Sequence, residues 1–332
     1  MRTVGLVAFI LVALGFDFTN GFHDAANAVA VSITTRALRP LTALSMAAGL
    51  NVVGAVVSTK VAVTVGSGII AAPQGTHGLV VVFAALIGAI FWNLITWWFG
   101  LPSSSTHALI GGLIGSALAS GSSVKWHGVL SKVVMPMAAS PLVGLLLGFL
   151  LMVAIVWIFQ HKRPRVVNQL FQRGQTFSTG AMAFSHGTQD AQKTMGVIAL
   201  ALVATGHLHS FRVPIWVILA AAAAMGIGTL AGGYRVIRTL GLRITRLDPP
   251  RAFAAQTSAS AVLLVSAYAY AMPVSSTHLM TSSIMGAGAS RRMSAVRWGV
   301  ARQVMLAWVL TIPGSAGSAW VVYQVVHALV GR

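Results

Sequence analysis

The chain has 332 residues, with 22 lysines and arginines against four acidic residues and a formal net charge of +18. Only 8% of residues are charged and 56% are hydrophobic, whereas a soluble surface carries roughly a quarter to a third charged residues. A soluble enzyme, a nucleic-acid binder and a disordered tail are therefore excluded, despite a basic balance that would otherwise suggest phosphate backbones as partners, and the chain belongs in a lipid bilayer. There is no cysteine, which removes disulfide frameworks, thiolate zinc sites and thiol catalysis. All four acids are aspartates, Asp17, Asp24, Asp190 and Asp248. Three of them fall inside apolar segments, where an ionisable side chain points to function.

The N-terminal apolar run Val4–Phe16 continues into Asp17–Asn27 with no small-residue cleavage site. It reads as a first membrane segment rather than a signal peptide. With about 20 apolar residues per crossing, the first half gives spans near Val4–Thr35, Leu41–Thr59, Gly78–Gly100, Leu101–Ser120 and Val133–Gln160. A basic connection follows, with Lys162, Arg163, Arg165 and Arg173. The second half gives Thr176–Thr205, Val213–Tyr234, Ala252–Met272, Pro273–Ser290 and Gln303–Val330. Fifteen of the 22 basic residues then fall on one set of connections and six, including Arg2 and Arg332, on the other. The positive-inside bias places both termini outside. Asp248, between arginines and beside Pro249 and Pro250, reads as a solvated loop carboxylate.

The chain repeats itself. PSSSTHALIGGLIG begins at Pro102 and PVSSTHLMTSSIMG at Pro273. A weaker pair, FTNGFHDAANA from Phe18 and FSHGTQDAQKT from Phe184, matches Asp24 with Asp190 and Asn27 with Lys193. Five crossings per half make the copies opposite in orientation. Polar, Gly-interrupted segments at corresponding positions of an inverted repeat are the sequence pointer to a secondary transporter. The expected fold is all-α and polytopic, with two inverted repeats of about five segments (1–160 and 176–332) joined by a basic cytoplasmic connection (161–175) and helices broken at the centre. Gly111, Gly112 and Gly115 read as helix-packing residues.

A proline followed by Ser and Thr describes a helix start. Its free N–H groups, dipole end and hydroxyls form an anion site without a fixed cation. Ser104, Ser105 and Thr106, facing Ser275, Ser276 and Thr277, would cup a small tetrahedral oxyanion. Asp24 and Asp190 are expected at breaks in their spans. Asp24 with Thr19, Asn20 and Asn27 offers the oxygen ligands of a hard cation, which makes Asp24 and Asn27 candidate metal ligands. A carboxylate beside a bound anion is also a natural proton carrier. Lys193, three residues after Asp190, can pair with it or stand where the first half would bind a cation. Asp17 lies seven residues before Asp24, and Ala183 replaces it in the second half. His23, His186, His107 and His278 flank these motifs as candidate proton relays or anion contacts.

GFHDAANAVA, SHGTQDAQKTMG and the paired P-x-S-S-T-H elements resemble the inorganic phosphate transporter family, the Pit-type permeases, over nearly the whole chain. The resemblance implies secondary transport of inorganic phosphate around a central site, in the cell membrane, with no cofactor and no nucleic-acid partner, and leaves room for a homodimer. Sodium-coupled members carry Asn-Asp with an Asn three residues on. Here His23 precedes Asp24, Gln189 precedes Asp190, and Lys193 replaces the second Asn. These forms look like the low-affinity bacterial branch, which implies proton coupling and phosphate carried with a divalent metal. Sodium coupling, a sulfate permease of the same fold, and an intramembrane metal-dependent hydrolase built on His23, Asp24 and His186 are the competing readings.

Overall fold

The computed structural model describes residues 2–70 and 75–330; Arg332 and the side chain of Arg2 lie outside the described residues. The described chain is all-helical, with only an isolated bridge between Ile70 and Val124. The first half contains α1 (Arg2–Thr34), α2 (Pro40–Val57), α3 (Lys60–Gly68), α4 (Gly75–Trp98), α5 (Ser105–Ala119) and α6 (Trp126–Phe159), the last with a π-helical turn at Leu130–Val134. The second half repeats the order with α7 (Pro164–Ala204), α8 (Ile215–Ala231), α9 (Tyr234–Arg243), α10 (Pro249–Ala269), α11 (Ser276–Ala289) and α12 (Trp298–Val330). Among the described residues six helices are long and apolar enough to cross a membrane, or seven if α8 and α9, bent by 59°, form one span.

Several starts follow from local chemistry. Prolines open α2, α7 and α10, where the missing N–H is not needed. Asp248 is not a plain loop carboxylate. It caps α10, accepting the Arg251 backbone N–H at 3.0 Å, and it pairs with the Arg251 guanidinium. Most of the basic stretch 161–175 forms the first turns of α7.

The chain breaks at its centre, but not at the aspartates. α1 runs unbroken through Asp24 and α7 through Asp190. The breaks lie ahead of α5 and α11, which follow non-helical stretches at 101–104 and 271–275. Pro102 and Pro273 sit in these stretches, two residues before the caps Ser104 and Ser275, rather than opening the helices. With 15 and 14 residues, α5 and α11 are about 22 and 21 Å long, short of a hydrocarbon core of about 30 Å.

The packing is reciprocal. α1 lies on α8 and α7 on α2; α5 lies on α12 and α11 on α6. Thus each short helix rests on the last helix of the other half. Glycines set these crossings. A Cβ on Gly21 of α1 would run into the Met225 carbonyl of α8, and one on Gly187 of α7 into the Asn51 carbonyl of α2. Gly111 and Gly115 similarly meet the α12 backbone, and Gly112 meets Ala85 of α4. These contacts give the three glycines their expected packing role. The outward faces are apolar, as with Leu142 (70% exposed) and Trp157 (72% exposed) on α6.

Gly21→Ala should destabilise the protein by about 1–3 kcal/mol, because the backbone must move apart. Gly15→Ala, whose methyl meets nothing within 4 Å, should be neutral or stabilise by up to about 1 kcal/mol. Thermal melts of the detergent-purified variants compare the two.

Candidate anion and coupling site

The starts of α5 and α11 are built alike. Ser104 accepts the His107 backbone N–H at 3.2 Å, and Ser275 accepts the His278 backbone N–H at 3.2 Å. Each serine oxygen thereby satisfies one of the orphan donors of a first helical turn. Side chains of these first turns meet side chains of α1 and α7 from both halves.

Three contacts repeat across the halves. The Ser105 hydroxyl donates to Asp24 Oδ2 at 2.7 Å, and the Ser276 hydroxyl donates to Asp190 Oδ2 at 3.1 Å. Each aspartate thus takes the serine of its own half. The residue three positions on reaches the opposite half. Asn27 Nδ2 donates to Ser276 at 3.3 Å and Thr277 at 2.9 Å. Lys193 Nζ donates to Ser105 at 2.9 Å and Thr106 at 3.1 Å. The Thr277 hydroxyl also donates to Asp24 Oδ1 at 3.3 Å. All of these side chains are buried.

The matched contacts carry different charge. Lys193 Nζ lies 3.1 Å from Asp190 Oδ1, so the second half holds its own cation, whereas Asn27 brings none. His186 Nε2 stands 2.8 Å from Asp190 Oδ2, and its other ring nitrogen faces Asn51, which donates to Thr229 at 2.8 Å. His23 Nδ1 lies 2.7 Å from Asp24 Oδ1. Its Nε2 faces the hydroxyls of Thr96 and Ser103, 3.4 Å from each, and these two hydroxyls bond each other at 2.7 Å. His107 and His278 face each other with ring centroids 4.8 Å apart, and His278 stacks on Trp308 at 4.1 Å.

The hard-cation cluster expected around Asp24 is arranged otherwise. Thr19 donates to the Phe16 carbonyl at 2.8 Å, and Asn27 turns its amide nitrogen to Ser276 and Thr277. Asn20 lies beside Asp17 instead. Asp24, His186 and Asp190 offer the ligand atoms that do converge, all within 4.8 Å of one another. That set mixes oxygen and nitrogen donors, which suits a divalent transition metal better than an alkali cation. Gln189 serves the scaffold, donating to the Leu263 carbonyl at 3.1 Å and Ser266 at 2.8 Å on α10.

Thr96, Ser103 and Asn51 escape a motif search because single polar residues in apolar spans look like packing residues. Gln192 was in view, inside the run QDAQK. Its amide oxygen accepts the N–H groups of Val61 at 2.7 Å and Ala62 at 3.1 Å, capping the start of α3 from α7.

Residues 20–319 match the model of the Phosphate transporter family. The chain is 46% identical over 315 residues to a probable low-affinity inorganic phosphate transporter of Rhizobium meliloti (strain 1021), spanning 94% of this chain and 93% of that one. A Bacillus subtilis (strain 168) protein of the same description is 39% identical over 327 residues, 97% of each chain. The fold is shared with a solved structure described as the sodium-dependent phosphate transporter, at a TM-score of 0.84 and 24% identity, over 98% of this chain and 99% of that one.

Lys193→Met should destabilise the protein by about 3–5 kcal/mol, because Asp190 stays buried without its ammonium. The double variant Lys193→Met/Asp190→Asn should recover most of that loss. Thermal melts of both in one detergent measure the coupling.

Proposed function

The chain belongs to the phosphate transporter family, and on that premise we propose that it imports inorganic phosphate by symport with protons, through alternating access around the α1–α7 crossing. As a member of that family it is a transporter, so the metal-dependent hydrolase reading of His23, Asp24 and His186 is set aside. The observation that carries the proposal is the meeting of two serine-capped helix starts with Asp24, Asn27, Asp190 and Lys193.

In this reading the hydroxyls of Ser105, Thr106, Ser276 and Thr277 and the first-turn N–H groups of α5 and α11 hold the phosphate oxygens. Ser104 and Ser275 cap these helices and retain hydroxyl hydrogens to donate. Lys193 supplies the one full positive charge at the cradle. Entry of phosphate replaces the contacts of these hydroxyls with Asp24, Asn27 and Lys193, so anion and coupling groups share the same donors.

The charge count supports proton coupling. With the histidines neutral, Asp24 and Asp190 set against Lys193 leave at least one uncompensated negative charge at the centre. A phosphate arriving beside it is favoured when a proton enters with it. Asp24 and Asp190 carry that proton in the proposed cycle, and His23 and His186 are its nearest exchange partners. Lys193 occupies the place where a second coupling cation would otherwise sit, which supports protons over sodium. The convergence of Asp24, His186 and Asp190 supports phosphate entering together with a divalent metal as cargo.

The two halves, 1–160 and 176–332, are proposed as inverted copies, an arrangement supported by the reciprocal packing of α5 and α11. The basic connections then face the cytoplasm, both termini lie outside, and the protein resides in the cell membrane.

Purified protein in liposomes should take up labelled phosphate when an inward proton gradient is imposed. Uptake driven only by sodium, or inhibited better by sulfate than by arsenate, would overturn the assignment of ion or anion. Asp24→Asn and Asp190→Asn should each abolish uptake while the protein still elutes as a folded species on size exclusion. Retained uptake in either variant removes that residue from coupling.

A further inference from the structure

α5 and α11 each follow a bend with one residue in the left-handed region, Gly100 at φ 64° and Ala271 at φ 50°. Under the repeat that matches Pro102 with Pro273, these two residues correspond. Glycine adopts that conformation freely, but alanine does so at a cost and only where its surroundings hold it there. The helix ends before the bends also leave carbonyls without intrahelical partners, and a bilayer supplies few substitutes.

The partners come from the opposite half. Thr239 of α9, itself buried, donates its hydroxyl to the Gly100 carbonyl at 2.7 Å. The Arg235 guanidinium, one turn back, donates to the Trp98 carbonyl and lies over the Trp98 ring, 4.1 Å from its centroid. Thr64 of α3 donates to the Ala271 carbonyl at 2.8 Å, and Lys60, one turn back, donates to the Tyr268 carbonyl at 3.3 Å. A basic residue and a threonine one turn apart lie on the same face of a helix. Each short helix thus clamps the bend that leads into the other half's cradle helix.

The clamps are anchored on the two long helices. α9 packs on α1, where a Cβ on Gly233 would run into the Phe22 carbonyl, close in sequence to Asp24. α3 packs on α7 and is capped by Gln192, which lies between Asp190 and Lys193.

We propose that Thr239 and Thr64 are positioning residues for phosphate, each fixing the start of a cradle helix from the opposite half; the inference rests on the phosphate cradle proposed above and extends it. The first turn of α5 is also tied to α1 through Ser105 and Asp24, and that of α11 to α7 through Ser276 and Asp190. Phosphate takes over those hydroxyls, and the ties to the carboxylates are given up. Neither threonine hydrogen-bonds a cradle side chain among the described residues, so the clamps persist when the ties are lost. Each helix start then depends on its clamp more with phosphate bound than without it, and an interaction that differs between two states shifts the equilibrium between them. Gly100 is buried and Ala271 half-buried. Water therefore replaces the Thr64 hydroxyl more readily, and Thr239 carries the larger share.

The test uses the full chain in lipid nanodiscs, with labelled-phosphate binding, thermal melts and amide hydrogen exchange. Thr239→Val should raise the phosphate dissociation constant about five- to tenfold, the factor that one net hydrogen bond carries, and Thr64→Val should raise it less. Thr239→Ser and Thr64→Ser, which keep the hydroxyl, should bind as the unaltered protein does. Without phosphate, exchange should quicken only in the bend that has lost its clamp, at 99–107 in Thr239→Val and at 270–278 in Thr64→Val. A merely structural role lowers the thermal midpoint but leaves the dissociation constant in place, and that result overturns the proposal. So does unchanged exchange at the clamped bend, or a serine variant that binds as weakly as the valine one. If Thr239→Val does not fold, Thr64→Val decides by the same readings. Unaltered protein that binds no phosphate overturns the transport reading and this proposal with it, whereas the exchange pattern, which needs no ligand, fails only if the clamps do.

Discussion

An ammonium and two carboxylates, those of Lys193, Asp24 and Asp190, are buried together at the crossing of α1 and α7. Ionised groups in such a place are tolerated only when each is paired and its remaining hydrogen bonds are filled. Much of the architecture serves that requirement. The breaks ahead of α5 and α11 bring Ser105 and Ser276 onto the carboxylates. Asn51 and Thr229 hold His186 against Asp190 from the side. Glycines at the α1–α8 and α7–α2 crossings let the helices approach until their backbones touch.

The same requirement bears on how the two matched motifs differ. Asn27 and Lys193 make matching contacts with the Ser and Thr of the opposite half. Only Lys193 adds charge. One half thus neutralises its aspartate internally, while the other leaves Asp24 dependent on His23 and on hydroxyls. The hydrogen bonds match and the charge does not. A transporter with identical halves would hold its ions equally on both sides; this one is biased.

The sequence was most legible where chemistry is repeated. The Pro-Ser-Ser-Thr-His runs identified the capped helix starts, because Ser at a cap and a missing proline N–H act locally and leave a local pattern. The matched Asp24 and Asp190 could be read for the same reason. What could not be read was continuity. Polar residues at 19–27 and 185–194 suggested broken spans, yet α1 and α7 run straight through. Asp24, Asn27, Asp190 and Lys193 are met by side chains from elsewhere, and tertiary partners of that kind leave no mark on the local sequence. Thr96, Ser103 and Asn51 were hidden for that reason too. The extent of α7 was obscured by Arg165 and Arg173, which look like a loop by charge but sit on an exposed helical extension.

The exchange of partners between the halves also governs how the molecule is made. α5 packs on α12 and α11 on α6; α5 therefore leaves the ribosome long before its partner exists. At about 5–20 residues per second, synthesis of the intervening chain lasts on the order of 10–40 s. Throughout that interval α5 can pack on α4 through Gly112, while its other face, with Gly111 and Gly115, waits for α12. The α5–α12 contact joins segments far apart in sequence, the condition of high contact order. It follows that the α5–α12 contact can close only once α12 has been made.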